Sequence, residues 1–142
     1  MRGSGRAALV ALTLATLVAA HAQEGSWRAR LATVPIDPAT AASVTGLGEA
    51  VAELDGRSLT VTGSFAGLAG PATIAQLHEG AYTGVRGDSI ADLTVTPAKE
   101  GSISGTVELT RAQAESLRAG RLYVQIHSES APDGNLWGWL LP

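Results

Sequence analysis

Two histidines of this chain, His78 and His127, each follow a glutamine by two residues, Gln76 and Gln125. Imidazole ligates zinc or copper through a neutral nitrogen, moves protons near neutral pH, and both donates and accepts hydrogen bonds. Two imidazoles alone make a poor metal site, because zinc takes four ligands or three plus water. Glu79, Glu129 and Asp133 are the neighbouring carboxylates available to add oxygen ligands. The alternative is structural, with each histidine ending a strand and bonding to loop backbone. The stretch YVQIHSESAPDGNLWGWL, 123–140, also carries Trp137 and Trp139. Those indoles either pack beneath a neighbouring loop or, if both are exposed, form an apolar patch that invites a partner.

Whether these side chains can meet depends on the elements that hold them. In an extended strand, alternate residues share a face. Tyr123, Gln125 and His127 therefore project together, opposite Leu122, Val124 and Ile126. Gln76 and His78 share a face of an earlier strand, and Trp137 and Trp139 share a face opposite Leu136 and Leu140. If the two histidine-bearing strands lie close, Gln76, His78, Gln125 and His127 form one polar cluster.

The rest of the chain supplies more strands. Short alternating runs are broken by Gly, Pro, Asp and Asn, the pattern of an all-β sandwich or barrel. Strands are expected over 28–34, 46–54, 58–65, 73–78, 89–95, 102–109, 122–128 and 135–141. The clearest hairpin turns at Asp55-Gly56-Arg57, and the last is expected to turn at Asp133-Gly134. One helix is expected over 110–119, where Thr110 and Gln113 form a capping box and Gly120 supplies the left-handed stop.

The first 22 residues read as a different kind of segment. Arg2 and Arg6, the apolar run AALVALTLATLVAA and the Ala20-His21-Ala22 site make residues 1–22 a cleavable secretory signal peptide. The run is shorter than the ~20 apolar residues of a spanning helix. The expected domain is 23–142, exported to the periplasm or the extracellular space, with no membrane span after cleavage. Without Arg2 and Arg6 the chain keeps 8 basic residues against 13 acidic ones, a net charge of −5. That balance carries no footprint for nucleic acid. No cysteine is present, so no disulfide framework is available to an exported chain. The high Ala and Gly content suits a bacterial source.

No nucleophile elbow, phosphate loop, dinucleotide fingerprint or His-Glu-x-x-His run occurs. The expectation from the residues is a small exported β domain that is not an enzyme and needs no cofactor, zinc or copper at His78 and His127 being the alternative.

Two stretches, GLAGPATIAQLHEGAYTGVRGDSIADLTV and LRAGRLYVQIHSESAPDGNLWGWL, resemble the CHRD domain family. That family has a Gly-Leu-x-Gly-Pro-Ala turn, an Ala-His-Ile-His-Gly strand end, a Gly-x-x-Tyr-Val-Asn-x-His-Thr strand and a Pro-x-Gly-Glu-Ile-Arg-Gly-Gln-Leu ending. The resemblance covers nearly all of 27–141. It implies an antiparallel immunoglobulin-like sandwich, comparable to the copper/zinc superoxide dismutase fold, with one short helix. Gln76 stands where the family has its first histidine, His78 matches its second, Gln125 replaces its asparagine, and His127 matches the strand-end histidine. The charged Glu-Ile-Arg-Gly-Gln ending becomes Asn135-Leu136-Trp137-Gly138-Trp139. The function implied is a binding or structural module, its partner an unknown protein or envelope component. A redox enzyme of the dismutase type would need more imidazoles than His78 and His127 provide.

Overall fold

A computed structural model describes residues 25–142. The signal-peptide reading of 1–22 lies outside the described residues. Eight strands and one helix follow the expected order: β1 (Gly25–Thr33), β2 (Leu47–Asp55), β3 (Ser58–Ala66), β4 (Ala72–Gly80), β5 (Gly87–Val95), β6 (Gly101–Glu108), α1 (Arg111–Arg118), β7 (Leu122–Ser128) and β8 (Ala131–Trp139). Among the described residues no helix is long and apolar enough to cross a membrane.

The strands do not form the expected immunoglobulin-like or superoxide-dismutase-like sandwich. They close into one antiparallel barrel in the order β1-β2-β3-β6-β5-β4-β7-β8. Two strands make the closure by changing partners along their length. β1 pairs with β2 from Gly25 to Leu31, then with β8 through Ala32↔Trp137 and Thr33↔Leu136. β5 pairs with β4 up to Leu93, then with β6 through Thr94↔Ser104 and Val95↔Ile103. A sandwich would leave edge N–H and C=O groups unpaired; these two seams give the edges partners. Period-2 alternation is the same in both architectures, so it could not distinguish them.

One face of each strand fills the interior. Leu31, Leu54, Leu59, Val61, Leu77, Ile103, Val124, Ile126 and Leu136 are almost wholly buried. Each such side chain contributes about 1.5–3 kcal/mol by leaving water. The helix covers one end, adding Ala114 and Leu117 to the same core. Its capping box forms as expected: Thr110 Oγ1 accepts from the Gln113 amide at 3.1 Å, and Gln113 Oε1 accepts from the Thr110 amide at 2.9 Å. Gly120, at φ +70°, ends it.

The last hairpin differs from expectation. The chain reverses at Glu129 and Ser130, with Ser128 opposite Ala131, and not at Asp133-Gly134. The next pair is Ile126↔Leu136, so residues 132–135 bulge opposite His127 alone. Pro132 has no N–H for the ladder, and Gly134 sits at φ +135°, a conformation disfavoured for other residues. A turn dipeptide therefore serves as a bulge.

Candidate functional site

β7 is buried on both faces. Its inner side chains enter the core, and its outer ones are covered by a second, smaller layer outside the barrel wall. Cross-strand register builds that layer in two rows. Gln76 of β4, Gln125 of β7 and Trp137 of β8 form one row. His78, Tyr123 and Trp139 form the next.

The second row is a stack of rings. His78 lies nearly parallel to Tyr123 with centroids 4.8 Å apart, and Tyr123 meets Trp139 at 4.8 Å. Trp137 packs edge-on against Trp139 at 4.8 Å. On Trp137 lies the guanidinium of Arg86, its Cζ 4.7 Å from the ring centroid, a cation–π contact. Arg86 belongs to the exposed segment 81–86 between β4 and β5. Trp137 also leans on a satellite cluster of Val34, Val44 and Ala131.

Gly87 anchors the layer. Its carbonyl accepts from Tyr123 Oη at 3.1 Å and from His78 Nδ1 at 3.0 Å. Since a carbonyl only accepts, His78 carries its proton on Nδ1 and turns the Nε2 lone pair the other way. Only glycine fits there, because a Cβ would overlap the Glu79 carbonyl. Burial holds the His78 pKa below its ordinary value of 6.5. The Gly87 carbonyl and the Asp88 carboxylate oppose that shift, while the proximity of His127 and the charge of Arg86 add to it.

His127 follows the same logic one bulge away. Its Nδ1 donates to the Pro132 carbonyl at 2.9 Å, and its Nε2 accepts from Gln125 Nε2 at 3.3 Å. Gln125 Nε2 also reaches the Asp133 carbonyl at 3.4 Å. Asn135 holds the bulge itself. Its amide oxygen accepts from Ser128 Oγ and its amide nitrogen donates to the Thr45 carbonyl, both at 2.7 Å.

The expected polar cluster is thus assembled only in part. Gln125 and His127 are in contact. Gln76 turns away and donates to Asp92 at 2.8 Å, and His78 is committed to Gly87. Among the described residues, no three His, Cys, Asp or Glu side chains gather as a metal group. Trp137 and Trp139 do project together, half-buried rather than freely exposed. Three polar atoms of this layer are buried without a partner: His78 Nε2, Gln125 Oε1 and Trp139 Nε1.

Beside the layer a cleft of about 240 Å³ opens between Val34, Val44, Arg86, Pro132 and Asp133. A larger depression, about 550 Å³, lies on the outer side of β1 to β3 near Arg28, Arg30 and Leu47. Size alone would favour the second, and neither is lined by the unpartnered atoms themselves, but only the smaller includes Arg86 and the Pro132–Gly134 bulge that touch the ring layer. The smaller cleft adjoins the layer that holds them, which makes it the better candidate.

The CHRD domain matches residues 27–140 of the chain. The chain belongs to the CHRD domain family. No curated protein and no solved structure matches it. In this CHRD domain, the glutamine found at the first histidine position is the side chain that turns out to Asp92, leaving His78 and His127 as the imidazoles of the layer. Sequence reasoning did not select Tyr123, Arg86, Gly87 or Asn135. Alternation already put Tyr123 on the face of Gln125 and His127, so its place was available. Arg86 ends a loop whose return over the sheet has no periodic signal, and Gly87 is the first residue of β5, where that loop rejoins the sheet.

Proposed function

We propose that this CHRD domain is an exported, non-enzymatic binding module of the cell envelope or extracellular space, and that its partner docks on the ring layer over β7. The observation that carries this is the placement of His78, Tyr123, Trp137 and Trp139 outside a closed barrel. The core is already filled from the inner faces, so this second aromatic layer is not needed to complete it. Clustered, half-buried tryptophans backed by a buried tyrosine are of the residue types that dominate binding surfaces. The absence of enzyme motifs from the sequence supports the non-enzymatic reading, and the start of the chain supports export.

The test has two parts. Mass spectrometry of the protein collected outside the producing cell should find Gln23, or its cyclised form, as the first residue; a retained Met1 would refute export through a cleaved leader. The purified protein should be retained on the isolated envelope fraction, and Trp137→Ala should lose that retention. Equal retention of the variant would refute the assigned face.

A second reading is favoured by one detail. Both imidazoles give Nδ1–H to a backbone carbonyl, the arrangement that presents Nε2 to a metal in histidine-ligated sites. His78 Nε2 and His127 Nε2 would be the donors for zinc or copper, the Gln125 amide first leaving His127 Nε2. Calorimetric titration of chelator-treated protein decides it. Stoichiometric binding lost in both His78→Ala and His127→Ala would move the chain to the metal-binding class.

A further inference from the structure

We infer that the ring layer over β7 binds a neutral, hydroxyl-rich ring, a sugar unit of a polysaccharide, which takes the face of Trp137 that Arg86 now covers. The inference rests on the docking face proposed above and names the chemistry of what docks there.

The unpartnered atoms define that chemistry. His78 Nε2 and Gln125 Oε1 are acceptors without donors, and Trp139 Nε1 is a donor without an acceptor. In register, His78 and Trp139 flank Tyr123 in one row, and Gln125 stands in the adjoining row. His78 is 9% exposed and Gln125 3%, so neither reaches bulk water by itself. A cation would satisfy the two acceptors and leave the indole N–H bare. An anion would satisfy the indole and repel the two acceptors. A hydroxyl both donates and accepts, so a ligand carrying several hydroxyls suits both kinds of atom.

The walls agree with such a ligand. The face of an indole accepts a flat, weakly apolar ring, and Trp137 and Trp139 meet at 66° to form a corner. Arg86 lies on Trp137 from an exposed loop, and its guanidinium forms no salt bridge with a described carboxylate. Among the described residues no ion pair ties the guanidinium to that ring, so a ligand has only the ring contact and the exposed loop to displace. The adjoining cleft gives room for the next unit of a chain, with the Pro132 and Asp133 backbone along its edge.

The experiment is calorimetric and fluorescence titration of the full exported chain with neutral hexasaccharides of β-linked glucose, N-acetylglucosamine and xylose, and with hexagalacturonate as the anionic control. At least one neutral hexasaccharide should bind and shift the tryptophan emission. Trp137→Ala should weaken it by about thirtyfold, the loss usual for a central interface aromatic. Trp137→Phe should keep most of the affinity. Arg86→Ala, an exposed change that leaves the fold intact, should bind as tightly or more tightly.

Preference for hexagalacturonate with loss of binding in Arg86→Ala would overturn the neutral-ligand inference in favour of an anion held by that arginine. No binding of any neutral hexasaccharide at millimolar concentration would overturn it as well. If envelope retention of the wild type then still depends on Trp137, the docking face survives and only the sugar assignment fails. If retention does not depend on Trp137, the face itself is wrong.

Discussion

Asn135 offers a direct test of how the site is held. It is wholly buried, and its amide is used at both ends, accepting from Ser128 Oγ and donating to the Thr45 carbonyl at 2.7 Å. It therefore fastens the β8 bulge to the segment before β2. Asn135→Ala removes two hydrogen bonds, each worth about 0.5–1.5 kcal/mol net, and leaves the buried Ser128 hydroxyl and the part-buried Thr45 carbonyl without that partner. Together these give an expected loss of about 2–4 kcal/mol. With a urea m-value of about 2 kcal/mol/M, the midpoint should fall by about 1–2 M, read by tryptophan fluorescence. Asn135→Asp separates geometry from size. The carboxylate keeps the Ser128 bond but sets an oxygen against the Thr45 carbonyl, so at neutral pH it should cost at least as much as alanine. Acidification should recover part of that loss, since a protonated carboxyl can donate to Thr45. A cost below about 1 kcal/mol for Ala, or an Asp variant as stable as wild type at pH 7, would refute the role assigned to this amide.

Three further outcomes follow from the same geometry. His78 binds its proton less tightly folded than unfolded, chiefly because it is buried, so stability should fall as pH drops through about 6.5, the unfolded value, and level off below the folded one; the same slope in His78→Gln between about pH 8 and 5 would exclude His78 as its source. Thr110→Ala should cost about 0.5–2 kcal/mol in chemical denaturation by removing the N-cap, with Thr110→Ser nearly neutral. Gly134→Ala should cost about 1–3 kcal/mol, because φ +135° is strained for alanine. Its Cβ would also lie 2.6 Å from Gln125 Nε2, so a change in tryptophan emission should accompany the loss, and an unchanged spectrum with unchanged stability would refute the tight bulge.

The elements themselves were legible in the residues, and so was the family. Eight strands were expected and eight are present, with ends displaced by a few residues: β1 begins at Gly25 where 28 was expected, and β4 runs to Gly80 where 78 was expected. The helix was readable to within one residue at each end, because a capping box is a local contract between Thr110 and Gln113 that needs nothing distant. The two faces of β7 were also correct, since alternation is a property of the extended backbone alone.

Tertiary structure decided what local rules leave open. Whether strand edges stay free or close depends on where β1 and β5 change partners, a contact between residues as far apart as Ala32 and Trp137. Asp133-Gly134 has the composition of a turn, yet the chain reverses four residues earlier. There Ser128 Oγ accepts from the Ala131 amide, while Asn135 draws the rest of the segment toward Thr45. Gln76 and Gln125 face the same way and stand opposite each other, but one is taken by Asp92 and the other by His127. The sequence by itself determined which side of strands such as β3 and β7 meets the core, because that follows from hydrophobic alternation. Which outward side chains then meet one another was settled only by register, bulges and a returning loop, whose energies depend on partners distant in the chain.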